Sequence, residues 1–362
     1  MANTLLPRDI HAFLATQVLG QDDVLRKVSV ALYKHINGLG TGNILLIGNS
    51  GTGKTTIMKA VRSFYASYEE LAPFRATTIL NANILQGEQA GDVDTGRIFR
   101  NLETDVRTRF GADLPTETIQ TYLEHGTVCI DELDKIASRI LGKVNASGIG
   151  IQQALLTILE GEKISFEPAG SPDPILLDTS RMFFLCGGAF EDMYDTVFKL
   201  ISEHGDERRF RESLGTDAEG RISYVVDFSL KEYLKLSDLF VYGMAPQFIS
   251  RFSDIAVLED LGESELNNIL VSAPDSPLKA ATSYFKAMGF DLEITPEARE
   301  TIVKQALQNS RIGARALRET LGRVIAPLEF DPAASPCLTT ENDQNILRID
   351  PAWVQERLSQ GR

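Results

Sequence analysis

The chain has 362 residues and carries 36 lysines and arginines against 50 aspartates and glutamates, a formal net charge of −14 at pH 7. At about 100–200 residues per domain, that length predicts two domains with chain enough for a real core. Hydrophobic residues at 43% and charged residues at 24% exclude a mainly disordered chain, and the acidic balance argues against non-specific binding to nucleic acid or a membrane surface, while leaving a local basic groove open.

Pro7 opens a short helix over residues 7–16, with Ile10, Phe13 and Leu14 on one face. Val18-Leu19-Gly20-Gln21 interrupts it, and Val24, Val28, Ala31, Leu32 and Tyr33 then recur at helical spacing over residues 22–36. Glycines at 38, 40 and 42 end that helix. Short apolar strands are predicted over 43–47, 77–81, 128–130 and 182–185, with helices over 96–110 and 151–159 between them. Alternating strands and helices favour a parallel α/β sheet.

Residues 166–174 read as a turn, and the charged stretch 203–221 as a solvated loop or helix face. Beyond Phe252 the pattern becomes mainly helical, over 262–271, 277–288, 296–309, 313–325 and 351–358, with one strand over 346–349. A domain boundary near residue 255 follows, dividing 1–255 from 256–362.

Cys129, Cys186 and Cys337 lie far apart, with neither Cys-x-x-Cys nor a histidine at ligand spacing. Neither a zinc site nor a disulfide framework is expected, and a reducing compartment fits. The N-terminus lacks a basic stretch followed by a long apolar one, and no run approaches the ~20 apolar residues of a membrane span, so the expected location is cytoplasmic.

Gly48-Asn49-Ser50-Gly51-Thr52-Gly53-Lys54-Thr55 fits G-x-x-x-x-G-K-[ST] between a predicted strand and a helix, the context that phosphate-binding loop requires. Glycines let successive amides turn inward around phosphates, and the helix N-terminus adds partial positive charge. Lys54 suits the β- and γ-phosphates and the Thr55 hydroxyl suits Mg²⁺, with Thr56 next in the helix. Further on, Thr127-Val128-Cys129-Ile130-Asp131-Glu132 ends an apolar strand in two carboxylates, where parallel sheets bind ligands. Asp131 suits Mg²⁺ and Glu132 suits a base for the attacking water. Together these predict binding and hydrolysis of a nucleoside triphosphate.

At these residues the chain resembles the AAA+ ATPases, and within them the ClpX and HslU unfoldases. Further resemblances are Gln152-Gln153-Ala154-Leu155-Leu156, Leu159-Glu160-Gly161, Leu177-Asp178-Thr179-Ser180, Cys186-Gly187-Gly188-Ala189-Phe190, Pro246-Gln247-Phe248-Ile249-Ser250-Arg251 and Gly313-Ala314-Arg315, in the family's order. The resemblance implies a parallel-sheet ATPase domain with a smaller, mainly helical C-terminal domain. It implies Val18 and Leu19 in the segment covering adenine, Arg251 as an arginine finger for a neighbouring subunit, and Arg315 as a sensor arginine for its own. ATP and Mg²⁺ are the implied cofactors, a hexameric ring the implied assembly, and a protein the implied client.

The departures are equally specific. Only six residues precede Pro7, so the family's zinc-binding N-terminal domain is not expected. Residues 87–94, Gly-Glu-Gln-Ala-Gly-Asp-Val-Asp, lack the aromatic residue with which the family's pore loop grips a chain. Glu88, Asp92 and Asp94 would cluster there in a ring and favour a basic client. Neither an Ile-Gly-Phe docking loop nor a basic loop at the pore entrance is found, so a ClpP-like peptidase partner is not expected. Three readings remain open: a remodelling or unfolding ATPase working without that peptidase, a nucleotide-switched assembly ATPase that threads nothing, and a protease-linked ATPase with divergent loops.

Overall fold

The computed structural model describes residues 5–40, 42–87, 92–140, 142–171, 173–203, 206–216, 222–308, 313–341 and 344–359. Five strands build the main sheet: β1 (Asn43–Ile47), β2 (Thr77–Asn81), β3 (Thr127–Asp131), β4 (Phe183–Gly188) and β5 (Phe252–Val257). Their order is β5-β1-β4-β3-β2, and every neighbouring pair is parallel. All five residues of β1 and all six of β4 are buried. That is why both read as near-continuous apolar runs, as strands covered on both faces do.

The edge strand β5 has no counterpart among the predicted strands. Ser253 and Asp254 interrupt its apolar run, and its pairing with β1 shifts register between Asn43 and Ile44. Helices Asp22–Ile36, Lys54–Ser67, Gly96–Phe110, Thr116–Glu124 and Ala146–Leu159 fall between the strands or precede them.

Contacts divide the chain into two compact units. The larger holds residues up to Leu14, Asp23–Gly48 and Met58–Leu258, and the smaller holds Ala15–Asp22, Asn49–Ile57 and everything from Glu259. The smaller unit is mainly helical, with helices Glu263–Val271, Pro277–Ala287, Pro296–Leu307, Ala314–Phe330 and Pro351–Ser359 around Leu270, Phe285, Leu317 and Leu328. Its three-stranded sheet pairs Phe290–Ile294 in parallel with Gln344–Ile349, which is antiparallel to Leu338–Glu341.

The charged stretch 203–221 is not simply a solvated face. Arg211–Thr216 forms an antiparallel pair with Ile222–Asp227. Ahead of it the Arg208 side chain is only 10% exposed, lying 2.7 Å from both Asp206 and Asp238. Two carboxylates satisfy that guanidinium, which is what lets a charged run turn inward.

In the stretch 87–94, Glu88, Gln89, Ala90 and Gly91 lie outside the described residues. Its base is pinned, with Gly87 N donating to Asp92 O at 2.7 Å and Gln86 bridging to Val93. Asp94 lies 3.2 Å from Arg97 and 2.5 Å from Arg100. The charge of Asp94 is therefore matched within the chain.

Cys129 on β3 and Cys186 on β4 are both fully buried, and Cys186 pairs with Ile130, the residue after Cys129. Burial pushes the Cys129 thiol up to about 12 and drives Cys186 upward as well. Among the described residues, no helix is long and apolar enough to cross a membrane.

Candidate nucleotide site

The phosphate loop follows β1 and runs into the helix Lys54–Ser67, so the first helical amides follow directly on its glycines. Gly51 and Gly53 have φ of 80° and 111°, a region L side chains rarely adopt, and the loop turns there. Inside the turn, the Asn49 carbonyl accepts from Thr52 Oγ1 and from Lys54 Nζ, each at 2.9 Å. Asn49, Thr52 and Lys54 are buried, while Ser50, Gly51, Gly53, Thr55 and Thr56 are partly open.

Three other segments meet this loop within the smaller unit. Val18 is buried, and its Cγ1 lies 3.9 Å from where a Cβ on Gly53 would stand, with Leu19 half-buried beside it. Asn49 Nδ2 donates to Asp260 Oδ1 at 2.9 Å. Ala314 N donates to Gly51 O at 3.2 Å, which places exposed Arg315 in the first turn of the helix packed against the loop. Gly313 makes that approach possible, since a Cβ there would stand 2.8 Å from the Gly51 carbonyl.

The carboxylate pair belongs to the larger unit. Asp131 ends β3, and its Oδ1 accepts from Glu132 N at 2.9 Å. Exposed Glu132 is left-handed at φ 56°, a conformation that costs a non-glycine residue about 1–2 kcal/mol. The turn behind it is fastened by Asp134, buried to 4% exposure, whose Oδ1 accepts from Ala189 N at 3.1 Å just past β4. Lys135 lies 3.2 Å from Asp134, which raises its ammonium above the usual lysine range. The sequence reading gave Asp134 no role of its own.

Because all five strands are parallel, Gly48 and Asp131 leave the sheet at the same, C-terminal edge. Arg251 immediately precedes β5 and so sits at the opposite edge, about five residues or ~17 Å along the strands. Within one chain the structure does not bring Arg251 to Glu132. Its guanidinium is instead ion-paired with Glu160, another residue without an assigned role in the sequence reading.

Oxygen donors of the Thr55 and Asp131 kind suit Mg²⁺, a hard cation. Among the described residues, no group of three or more His, Cys, Asp or Glu could hold a metal by itself.

A family model described as "AAA domain (Cdc48 subfamily)" matches residues 40–255. The ATP-dependent Clp protease ATP-binding subunit ClpX of Bacteroides fragilis is 28% identical over 344 residues, covering 90% of this chain and 76% of that protein. The same subunit of Bacteroides thetaiotaomicron is 28% identical over 90% of this chain and 77% of its own length. That of Borrelia duttonii is 28% identical over 91% of this chain and 75% of its own.

Proposed function

This chain belongs to the AAA family of ATPases, as a divergent ClpX-like member, and from that membership we propose that it is a ring ATPase that remodels or unfolds protein clients without the usual peptidase. Residues 1–255 act as the ATPase domain and 256–362 as the smaller sensor domain. The loop amides of residues 49–55 and Lys54 hold the ATP phosphates, and Val18 and Leu19 cover the base. Thr55 and Asp131 would hold Mg²⁺, which when bound offsets charge on the β- and γ-oxygens. Glu132 accepts the proton of the water that attacks the γ-phosphorus, and the phosphoryl group passes from ADP to that water. Arg315 touches the nucleotide of its own subunit. Arg251 reaches the nucleotide of a neighbour, which requires a closed homo-oligomer, by resemblance a hexamer.

The observation that carries this reading is Glu132, held left-handed and exposed directly after Asp131 at the ligand-binding edge of the sheet. A general base poised at that edge is worth its backbone strain only if it acts there. The test is Glu132→Gln. Nucleotide affinity should stay at the parent level while ATP turnover falls at least ~100-fold, and substantial residual turnover by the pure variant overturns the assignment.

A second reading, a nucleotide-switched assembly ATPase that threads no chain, is favoured by the missing aromatic across 87–94 and by the pairing of Asp94 with Arg97 and Arg100. ATP-dependent loss of fold in a tagged globular protein supports the unfoldase. Full ATPase with an intact substrate supports the switch, and ATP-dependent degradation with an added ClpP-like peptidase would restore the protease-linked reading. A cytoplasmic location, protein partners and no nucleic-acid or membrane partner complete the proposal.

A further inference from the structure

Gln21 lies outside the phosphate motif, yet its side-chain amide is committed to it. Nε2 donates to Thr52 O at 3.1 Å and to Glu259 O at 2.9 Å, and Oε1 accepts from Glu259 N at 3.2 Å. The residue is 4% exposed, so water does not compete for these bonds. Both amide hydrogens are used, and neither a carboxylate nor an apolar group can replace them.

The peptide plane converts this contact into a direction. No peptide bond described is cis. In a trans peptide the carbonyl of one residue and the N–H of the next point opposite ways in one rigid plane. Drawing the Thr52 carbonyl onto Gln21 therefore turns the Gly53 N–H away from Gln21, and Gly53, at φ 111°, leaves that plane without a side chain to obstruct it. The neighbouring plane is set in the same manner, because Ala314 N holds the Gly51 carbonyl at 3.2 Å. Asn49 adds a third tether through Asp260, one residue beyond the Glu259 that Gln21 grips.

We infer that Gln21 is a positioning residue for the phosphate loop: by holding the Thr52 carbonyl it aims the Gly53 N–H at the nucleotide phosphates, with Glu259 as its fixed anchor. The inference rests on the reading of residues 48–55 as the phosphate site. Gln21 touches no reacting atom, and its contribution is to binding shared by ground and transition states. Its loss should accordingly raise KM and leave kcat nearly unchanged.

The experiment titrates a fluorescent ADP analogue and measures ATPase kinetics on the full chain, for Gln21→Leu, Gln21→Glu and Lys54→Ala. Gln21→Leu keeps the approximate volume and removes every bond. It should weaken the ADP analogue ~10-fold or more and raise KM for ATP in step, with kcat within ~3-fold of the parent. Gln21→Glu presents a carboxylate to two carbonyl oxygens and regains one donor when protonated. Its affinity relative to the parent should recover as pH falls from about 8 to about 6, a profile that loss of packing alone would not produce. If Gln21→Leu does not fold, that profile decides. Parental affinity in a folded Gln21→Leu, or a flat profile in Gln21→Glu, overturns the inference. Parental affinity in Lys54→Ala overturns the phosphate-site reading instead.

Discussion

Arg251 is ion-paired to Glu160 of its own chain across 91 residues of sequence, at the edge of the sheet opposite Glu132. The two side chains are 41% and 30% exposed. An ion pair so open to water is worth about 0–1 kcal/mol, little enough that, in the proposed role across subunits, a neighbour's phosphate would displace it. On that proposed role Arg251→Ala should keep nucleotide binding and lose hydrolysis by ~10³-fold, because the guanidinium would stabilise charge that develops only during phosphoryl transfer. Mixing it with Glu132→Gln subunits should restore part of the phosphate release, since mixed rings pair an intact Glu132 with an intact Arg251. A dilute monomer hydrolysing ATP at full rate would contradict the role across subunits.

The proposed role of Glu132 as the base sets activity against stability. Its left-handed backbone suits glycine, so Glu132→Gly should raise the unfolding free energy by about 1 kcal/mol while abolishing turnover. Glu132→Val should lower stability, since a β-branched residue is a worse fit there. Denaturant melts of the two variants beside Glu132→Gln measure the difference, and equal midpoints for Gly and Val would contradict it.

His35 predicts an acid-sensitive fold. It is buried, with Nδ1 2.9 Å from the Tyr65 hydroxyl and its ring beside Phe74 and Phe183. Burial, with a smaller push from His125, lowers its pKa from 6.5 to about 3. In the unfolded chain it protonates near 6.5, so between about 6.5 and 3 the unfolded state binds the extra proton. Stability is therefore highest above pH 6.5 and is lost as pH falls, by about 3 kcal/mol at pH 4 from this group. His35→Gln should be less stable than the parent at pH 7.5, with a shallower decline toward pH 4 in chemical melts.

Gly313 is constrained twice, by φ of 52° and by the Gly51 carbonyl 2.8 Å from any added Cβ. Gly313→Ala must displace the loop or the helix behind it. It should weaken nucleotide binding ~10-fold or more and lower the thermal midpoint, whereas Gly322→Ala, where a Cβ meets open space, should do neither. Titration and melting of both variants check this.

Much of this was legible in the sequence because the signals are local. The amphipathic period over 22–36 matches the helix Asp22–Ile36, and the apolar run at 43–47 is a strand buried throughout. The glycine-lysine loop and the Asp131-Glu132 pair are likewise contiguous. β5 escaped because an edge strand tolerates the polar Ser253 and Asp254 in its run. The buried Arg208 escaped because a guanidinium turned inward reads like a solvated one until Asp238 is placed beside it, 30 residues on. The bonds of Gln21 to Glu259 span 238 residues, a distance over which periodicity and spacing carry no information.

Cys129 and Cys186, on neighbouring strands but buried on opposite faces of the sheet with their thiols held protonated, give the molecule a built-in clock. The thiolate is what attacks an alkylating reagent, so neither cysteine can react until the packing over its face of the sheet opens. Their labelling rate therefore reports opening of the sheet that carries Asp131. A bound nucleotide should slow it in proportion to the share of its affinity that depends on that sheet.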